Sequence, residues 1–138
     1  MITGKPFDLE ILTPSGLAFE GRVEAVSLPA KDKPFQVLAN HAPIVAELAV
    51  GAIAFNDSQN KKQTFATSGG FVQVAHNKVS CVVETAEESG SIDVQRALEA
   101  KRRAEERLAR SGEVDLVRAE LSLARSLNRL RVAQYRGL

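Results

Sequence analysis

The stretch KVSCVVETAEESGSIDVQRALEAKRRAEERLAR, residues 78–110, changes its period part-way through. Up to Ala86 the apolar residues fall at strand spacing. From Ile92 onward they return every three or four positions, with arginines between them. A strand has a side-chain period of two and a helix one of 3.6, so one run cannot serve both. The chain must change architecture here. The polar, glycine-containing EESGS at 87–91 is where a joint is expected.

Upstream the strand period persists. In FDLEIL, Phe7, Leu9 and Ile11 point one way and Asp8 and Glu10 the other. Turn chemistry recurs at Thr13-Pro14-Ser15-Gly16, Asn40-His41-Ala42-Pro43, Asn56 to Asn60, Ser68-Gly69-Gly70 and His76-Asn77-Lys78. RVEAVSLP continues as strand with a bulge and ends at Pro29. Many short strands between such turns predict a β-sandwich or flattened barrel. Downstream, Ser91 suits a helix N-cap and Asp93 complements the helix dipole. Gly112, after Ser111, suits the position just past a first helix. Glu113 and Asp115 open a second, which runs to about Gln134. The expected class is α+β, with a sandwich over residues 1–86 and an α-helical hairpin over 87–138.

The totals fit one domain with an appendage: 138 residues, 44% hydrophobic, 25% charged, net charge +1. The near-neutral sum hides a split. Residues 1–90 carry a net −3 and residues 91–138 a net +4, and ten of the eleven basic residues in the latter are Arg. Cys81 stands alone, so neither a disulfide frame nor zinc-ligand spacing is available, and it reads as a small buried apolar residue. No apolar run approaches 18 residues and no signal-peptide pattern is present, which predicts a soluble protein in a reducing cytoplasm.

At about 100° per residue, Arg96, Arg103, Arg107 and Arg110 fall within an arc of roughly 60°. Ala97, Ala100, Ala104 and Leu108 lie on a neighbouring face, small enough for another helix to approach closely. On the second helix Arg118, Arg125, Arg129 and Arg136 share an arc of roughly 40°. Leu116, Val117, Leu121, Leu123, Ala124, Leu127 and Leu130 cover an apolar arc near ~200°, wider than one neighbouring helix requires. Glu99–Arg103 and Glu106–Arg110 are favourable i,i+4 pairs, as on a solvated face. Arg103–Arg107 and Arg125–Arg129 are like-charge pairs that cost a few tenths of a kcal/mol each. A solvated face and an anion-binding face both account for the stripes. The anion could be a phosphate ligand, a nucleic-acid backbone or an acidic partner surface.

Catalysis finds little support. His41 and His76 have no nucleophile at useful spacing, and no Walker lysine, G-x-S-x-G or H-E-x-x-H motif occurs. Gly69-Gly70 reads as a strand corner. Glu84, Glu87 and Glu88 read as solvated strand-end and joint residues. One Tyr and no Trp leave no platform for stacking bases.

The two halves together resemble the ε subunit of bacterial F-type ATP synthase, the equivalent of the mitochondrial δ subunit. The pieces that carry the resemblance run in order along nearly the whole chain: FDLEILTPSGLAFEGRVEAVSLPA, NHAPIVAEL, TSGGFVQVAHNKVSCVVETAEE, IDVQRALEAKRRAEERL and RAELSLARSLNRLRVA. The resemblance implies a ten-stranded β-sandwich followed by two helices, in a non-catalytic rotor subunit that requires no cofactor or metal. It implies docking of the sandwich on the γ subunit and the c-subunit ring. The helices would lie folded, or extend into the α/β catalytic head and block ATP hydrolysis. There a carboxylate-rich β-subunit segment would meet the arginines. The implied location is peripheral, on the cytoplasmic face of the bacterial inner membrane.

IDVQRA resembles the family's ATP-binding motif. Carried over by position, Asp93 and Arg96 belong to it, with Glu87 upstream, Arg103 further along the first helix, and Arg125 and Arg129 on the second. Asp93 and Glu87 would recognise adenine or orient the arginines, and ATP would be a regulatory ligand. His41 and Pro43 match the segment near the γ and c contact. The chain departs from the family in PAKDKPFQVLANHAP, where Lys and Pro replace the usual glycines. The alternative function is a nucleic-acid-binding module built on the basic hairpin.

Overall fold

A computed structural model describes residues 4–110 and 115–134. Ser111, Gly112, Glu113 and the fourth arginine of the second stripe, Arg136, lie outside the described residues. The chain divides into two compact units, Met1–Glu88 and Ser89–Leu138.

The first unit holds ten strands: β1 (Phe7–Thr13), β2 (Gly16–Val23), β3 (Ala25–Leu28), β4 (Phe35–Leu38), β5 (Ile44–Leu48), β6 (Gly51–Asn56), β7 (Lys62–Thr67), β8 (Gly70–Ala75), β9 (Lys78–Val83) and β10 (Ala86–Glu88). They form two five-stranded sheets, ordered β2-β1-β9-β8-β5 and β10-β7-β6-β3-β4. Pairing is antiparallel except between β1 and β9, which run parallel with Leu9 opposite Val79 and Ile11 opposite Cys81.

The alternation read in β1 places the core. Phe7, Leu9 and Ile11 are buried. They join Val72, Val74, Val79, Cys81 and Val83 of the same sheet and Val26, Leu28, Val37, Ile53, Phe55 and Phe65 of the other in one apolar cluster. Phe19 of β2 meets Phe55 of β6 across the sandwich, with ring centroids 4.4 Å apart. Aromatic pairs at this separation add to simple burial.

Corners carry the chain between sheets. It crosses at Glu24, between β2 and β3, where a bulge was expected. The bulge lies instead in the β1–β2 hairpin, where Ile11 faces Phe19 and Leu12 faces Leu17, leaving Ala18 unmatched. Another crossing follows β7 through Gly69 and Gly70, at φ 113° and 154°. A Cβ on Gly70 would overlap the Val82 carbonyl oxygen and stand 2.7 Å from Val83 Cα, so the close passage of β8 over β9 requires glycine. The β8–β9 hairpin turns on His76 and Asn77, both at positive φ, as a tight two-residue connection demands.

The strand region extends further than the change of period indicated. Glu87 and Glu88, read as the start of the joint, pair as β10 with Ala66 and Phe65 of β7. A single 3-10 turn at Ser89–Ser91 follows. The second unit then holds α1 (Val94–Ala109) and α2 (Leu116–Val132).

Candidate functional site

The cap of α1 is Asp93 and not Ser91: its Oδ1 accepts from Arg96 N at 3.0 Å. The same device opens α2, where Asp115 Oδ1 accepts from Arg118 N at 3.3 Å. An aspartate at this position answers one orphan amide and the positive end of the helix dipole together. Ser91 lies in the 3-10 turn, two residues too early.

The helices pack on each other, and the connection fixes their sense. Only six residues separate Ala109 from Leu116. The seven steps from Ala109 to Leu116 span at most about 25 Å fully extended, which the ~24 Å return along a 16-residue helix would consume with nothing left for the turns at its ends. The hairpin is therefore antiparallel. Its seam uses two of the small residues read from the sequence, Ala97 and Ala104 on α1, with Ala119, Ser126 and Leu130 on α2, all buried. Ser126 Oγ donates to the Ser122 carbonyl at 2.8 Å, which satisfies its hydroxyl inside the helix.

Measured from that seam, the arginines of α1 lie about 100° round the helix in the backward rotational sense, and those of α2 lie about 100° round in the same sense. Reversing one helix turns equal rotations toward one side of the pair. Arg96, Arg103, Arg107 and Arg110 thus share a side of the hairpin with Arg118, Arg125 and Arg129. Positions equidistant from the connection stand level. Arg96 is level with Arg129, Arg107 with Arg118, and Arg103 within about 5 Å of the height of Arg125.

Charge compensation within the rows is thin. Arg103 Nη1 reaches Glu99 Oε2 at 3.9 Å, the edge of an ion pair. Glu106, expected beside Arg110, meets Arg102 instead at 2.7 Å, off the stripe. Arg96, Arg107, Arg110, Arg118 and Arg125 are exposed and make no ion pair with another described residue. Exposed arginines in two parallel rows give an anion several guanidinium forks within one span.

The broad apolar arc of α2 is unevenly covered. Asn128 and Val132, about half a turn round from the seam, are buried as well. Leu116, Val117 and Leu121, in the first half, are 44%, 66% and 44% exposed.

The other expected site residues belong to the first unit. Glu87 is half-buried on β10, opposite Ala66. His41 and Pro43 lie between β4 and β5. The His41 Nδ1 is 2.7 Å from the Ala42 carbonyl, and its ring centroid lies 6.2 Å from that of Phe35. In the glycine-poor loop Lys31 is tied to β5 twice, N to the Glu47 carbonyl at 2.8 Å and Nζ to Glu47 Oε2 at 3.4 Å.

One surface escaped the motif reading. On the outer face of the first sheet, Phe71 of β8 stands opposite Val82 of β9, Val82 opposite Leu12 of β1, and Leu12 opposite Leu17 of β2. Phe71, Val82 and Leu17 are 57%, 57% and 53% exposed. An exposed apolar row of this kind marks a contact surface. The signal was present in VETA's neighbour KVSCVV and in GFVQVA, where the outward positions Val82 and Phe71 are apolar although period two calls for polar residues. Among the described residues no His, Cys, Asp or Glu cluster could hold a metal ion, and no helix is long and apolar enough to cross a membrane.

Comparison with known proteins covers both units. Residues 6–89 match the β-sandwich domain of the ATP synthase delta/epsilon chain, and residues 91–134 match its long alpha-helix domain. The ATP synthase epsilon chain of Bacillus pumilus is 43% identical over 129 residues, 94% of this chain and 98% of that one. That of Desulfitobacterium hafniense strain Y51 is 39% identical over 128 residues, 93% and 96%. Among solved structures, a chain of the Euglena gracilis mitochondrial ATP synthase OSCP/F1/c-ring assembly superposes with a TM-score of 0.82 at 21% identity, covering 98% of this chain and 87% of that chain. A chain of the Tetrahymena thermophila mitochondrial central stalk/c-ring gives 0.56 at 12%, covering 96% and 97%. The solved structures establish the likeness of fold, and the sequence matches carry it to kinship. In both halves and over nearly its whole length, this chain belongs to the ATP synthase delta/epsilon family, among the epsilon-type chains.

Proposed function

We propose that the sandwich couples this subunit to the rotor and that the hairpin regulates ATP hydrolysis, with ATP as the ligand of its arginine rows. The observation that carries the regulatory half is the convergence of the rows on one side of an antiparallel hairpin. Arg96, Arg103, Arg125 and Arg129 occupy about 10 Å of its length, a span suited to a polyphosphate. Asp93 offers a carboxylate at the same end, and Glu87 is the second acid that this reading assigns to the ligand. With ATP held, the hairpin stays folded. Without it, the rows are available to a carboxylate-rich surface of the α/β head, and the partly uncovered apolar arc of α2 gains a second set of contacts. A ligand that favours one of two states shifts the balance by its differential affinity.

The rotor half draws on the company of the solved neighbours, whose assemblies include a central stalk and c-ring. The γ subunit and c-ring are the partners assigned to the sandwich. The apolar row Phe71–Val82–Leu12–Leu17 is one contact surface and the loop carrying His41 and Pro43 another. The subunit would thereby sit peripherally, on the cytoplasmic face of the bacterial inner membrane, held through the complex and helping to couple proton flow to ATP synthesis. No comparison supports the nucleic-acid alternative.

The test is ATPase activity of the reconstituted catalytic head, with full-length protein or with a version lacking residues 91–138, across an ATP titration. Full-length protein should inhibit most at low ATP, and the truncated one should bind γ without inhibiting. Equal inhibition by both removes the hairpin as the brake. Isolated protein should bind ATP saturably, and Arg96→Ala and Arg129→Ala should weaken it. No binding at millimolar ATP removes the ligand.

A further inference from the structure

We infer that Asn77 is the positioning residue of the loop at residues 39–43, holding it in the shape that the sandwich presents to the rotor. The inference rests on the reading of that loop, through His41 and Pro43, as a rotor contact.

The loop needs a hold from outside itself. β4 lies in the second sheet and β5 in the first, so the chain changes sheets across residues 39–43 and no ladder continues through them. Asn40 stands at φ 60°, a left-handed conformation that strains a residue with a side chain. The hold comes from the β8–β9 turn, where Asn77 Oδ1 accepts from Asn40 N at 2.8 Å. No other hydrogen bond among the described residues joins the loop to that turn.

The same side chain is anchored at its other end. Asn77 Nδ2 donates to the Pro6 carbonyl at 3.3 Å, and the Asn77 carbonyl accepts from Asp8 N at 3.2 Å. The amide is thus a strut between the start of β1 and the loop. Its oxygen meets an N–H and its nitrogen a carbonyl, so it fits one way round only. The turn by itself does not call for asparagine. At φ 58°, following His76 at φ 52°, position 77 is one that glycine occupies with least strain. Asparagine tolerates that conformation and adds the two side-chain bonds. It is half-buried, while His76 and Lys78 beside it are exposed.

Two substitutions separate the turn from the strut. Asn77→Gly keeps the backbone conformation and removes both side-chain bonds. Asn77→Asp keeps an acceptor for Asn40 N and gives up the donor to the Pro6 carbonyl, which retains Arg22 Nη2 at 3.3 Å. In the full-length protein, Asn77→Gly should speed exchange of the Asn40 amide by about fivefold or more, the loss of one hydrogen bond, while β8 and β9 stay protected. Its affinity for the assembled rotor of γ and c-ring should fall by a similar factor. Asn77→Asp should restore both. Wild-type exchange at Asn40 in Asn77→Gly overturns the inference, as does an Asn40 amide left unprotected in Asn77→Asp. A general loss of protection along β8 and β9 also overturns it, since Asn77 would then be a turn residue and nothing more. Ala42→Glu, at an exposed position of the loop, tests the reading underneath. If Ala42→Glu weakens rotor binding and Asn77→Gly, with Asn40 loosened, does not, the inference is overturned. If Ala42→Glu binds the rotor like wild type, the rotor reading of the loop fails, and exchange at Asn40 still decides whether Asn77 positions the loop.

Discussion

Asp93 serves one role visibly and a second by proposal, and a pair of substitutions separates them. Its Oδ1 is committed to Arg96 N at 3.0 Å, so Oδ2 is the atom available to a ligand. Asp93→Asn keeps a cap, because the amide oxygen can take the bond to Arg96 N. The remaining position then becomes an NH₂ donor where an acceptor stood. Asp93→Ala removes both functions. On helix energetics alone, the alanine variant should lose about 1 kcal/mol of hairpin stability, a roughly fivefold increase in α1 opening. The asparagine variant should lose only part of a dipole interaction worth ~0.3–1 kcal/mol. On ligand binding the order changes. A hydrogen bond to a charged group contributes about 1.5–3 kcal/mol, so Asp93→Asn should weaken ATP binding by about tenfold or more while α1 stays protected. Titration calorimetry reads the first quantity and amide exchange across residues 94–97 the second. Asp115 is the internal control, since it caps α2 in the same way: Asp115→Ala should lower protection of α2, and Asp115→Asn should lose no more than the same part of the dipole interaction and leave affinity unchanged. Wild-type affinity in Asp93→Asn would refute a ligand role for the carboxylate, and unchanged exchange in Asp93→Ala would refute the cap energetics.

Other expectations follow from single positions. Gly70→Ala must strain a φ of 154° and push β9 away, so the urea midpoint of the sandwich should fall by the equivalent of about 3 kcal/mol, and a loss under 1 would contradict the corner geometry. Ala104→Leu adds bulk to the hairpin seam and should cost about 1–3 kcal/mol there, seen as faster exchange in α1 and α2, while the sandwich unfolds at its usual denaturant concentration. Burial, and secondarily Glu10, push the Cys81 thiol up to about 12 from an ordinary 9.0. Between those values the unfolded chain releases a proton that the native one keeps, so stability present below pH 9 should decline with rising pH, by at most about 1.4 kcal/mol per unit from this group. Urea titrations from pH 8 to 10.5 should show a steeper decline in wild type than in Cys81→Ala, and parallel curves would refute it.

The period-two alternation in β1, the turn at His76-Asn77 and the seam alanines of α1 could all be read from the sequence, because each reports a local rule: pleat, positive φ, or helical face. The readings that shifted depend on partners distant in the chain. Glu87 and Glu88 look like linker residues until β7 offers them an edge. The bulge moved from RVEAVSLP to Ala18, because register is decided by the opposing strand and not by the strand that bends. Ser91 and Asp93 are both good caps, and the choice went to the residue three before the first amide needing a partner. The arginine stripes were legible as stripes. Their convergence required knowing that the helices run antiparallel and which faces form the seam. The apolar row at Phe71 and Val82 was overlooked because its residues fit a strand individually. Only the ladder lines them up.

The parallel pairing of β1 with β9 has a consequence for synthesis. Asn77 Nδ2 donates to the Pro6 carbonyl, 71 positions apart in the chain, and neighbouring backbone bonds close over a similar gap. Contacts between such remote positions slow folding, whereas those between adjacent helices form quickly. The first strand can pair with β2 early, but its ladder with β9 must wait until almost the entire sandwich has been translated. The hairpin emerges last and needs only its own residues to coil. Once the barrier set by the first and ninth strands has been crossed, the final fifty residues can lose and regain their order repeatedly without returning the rest of the molecule to it.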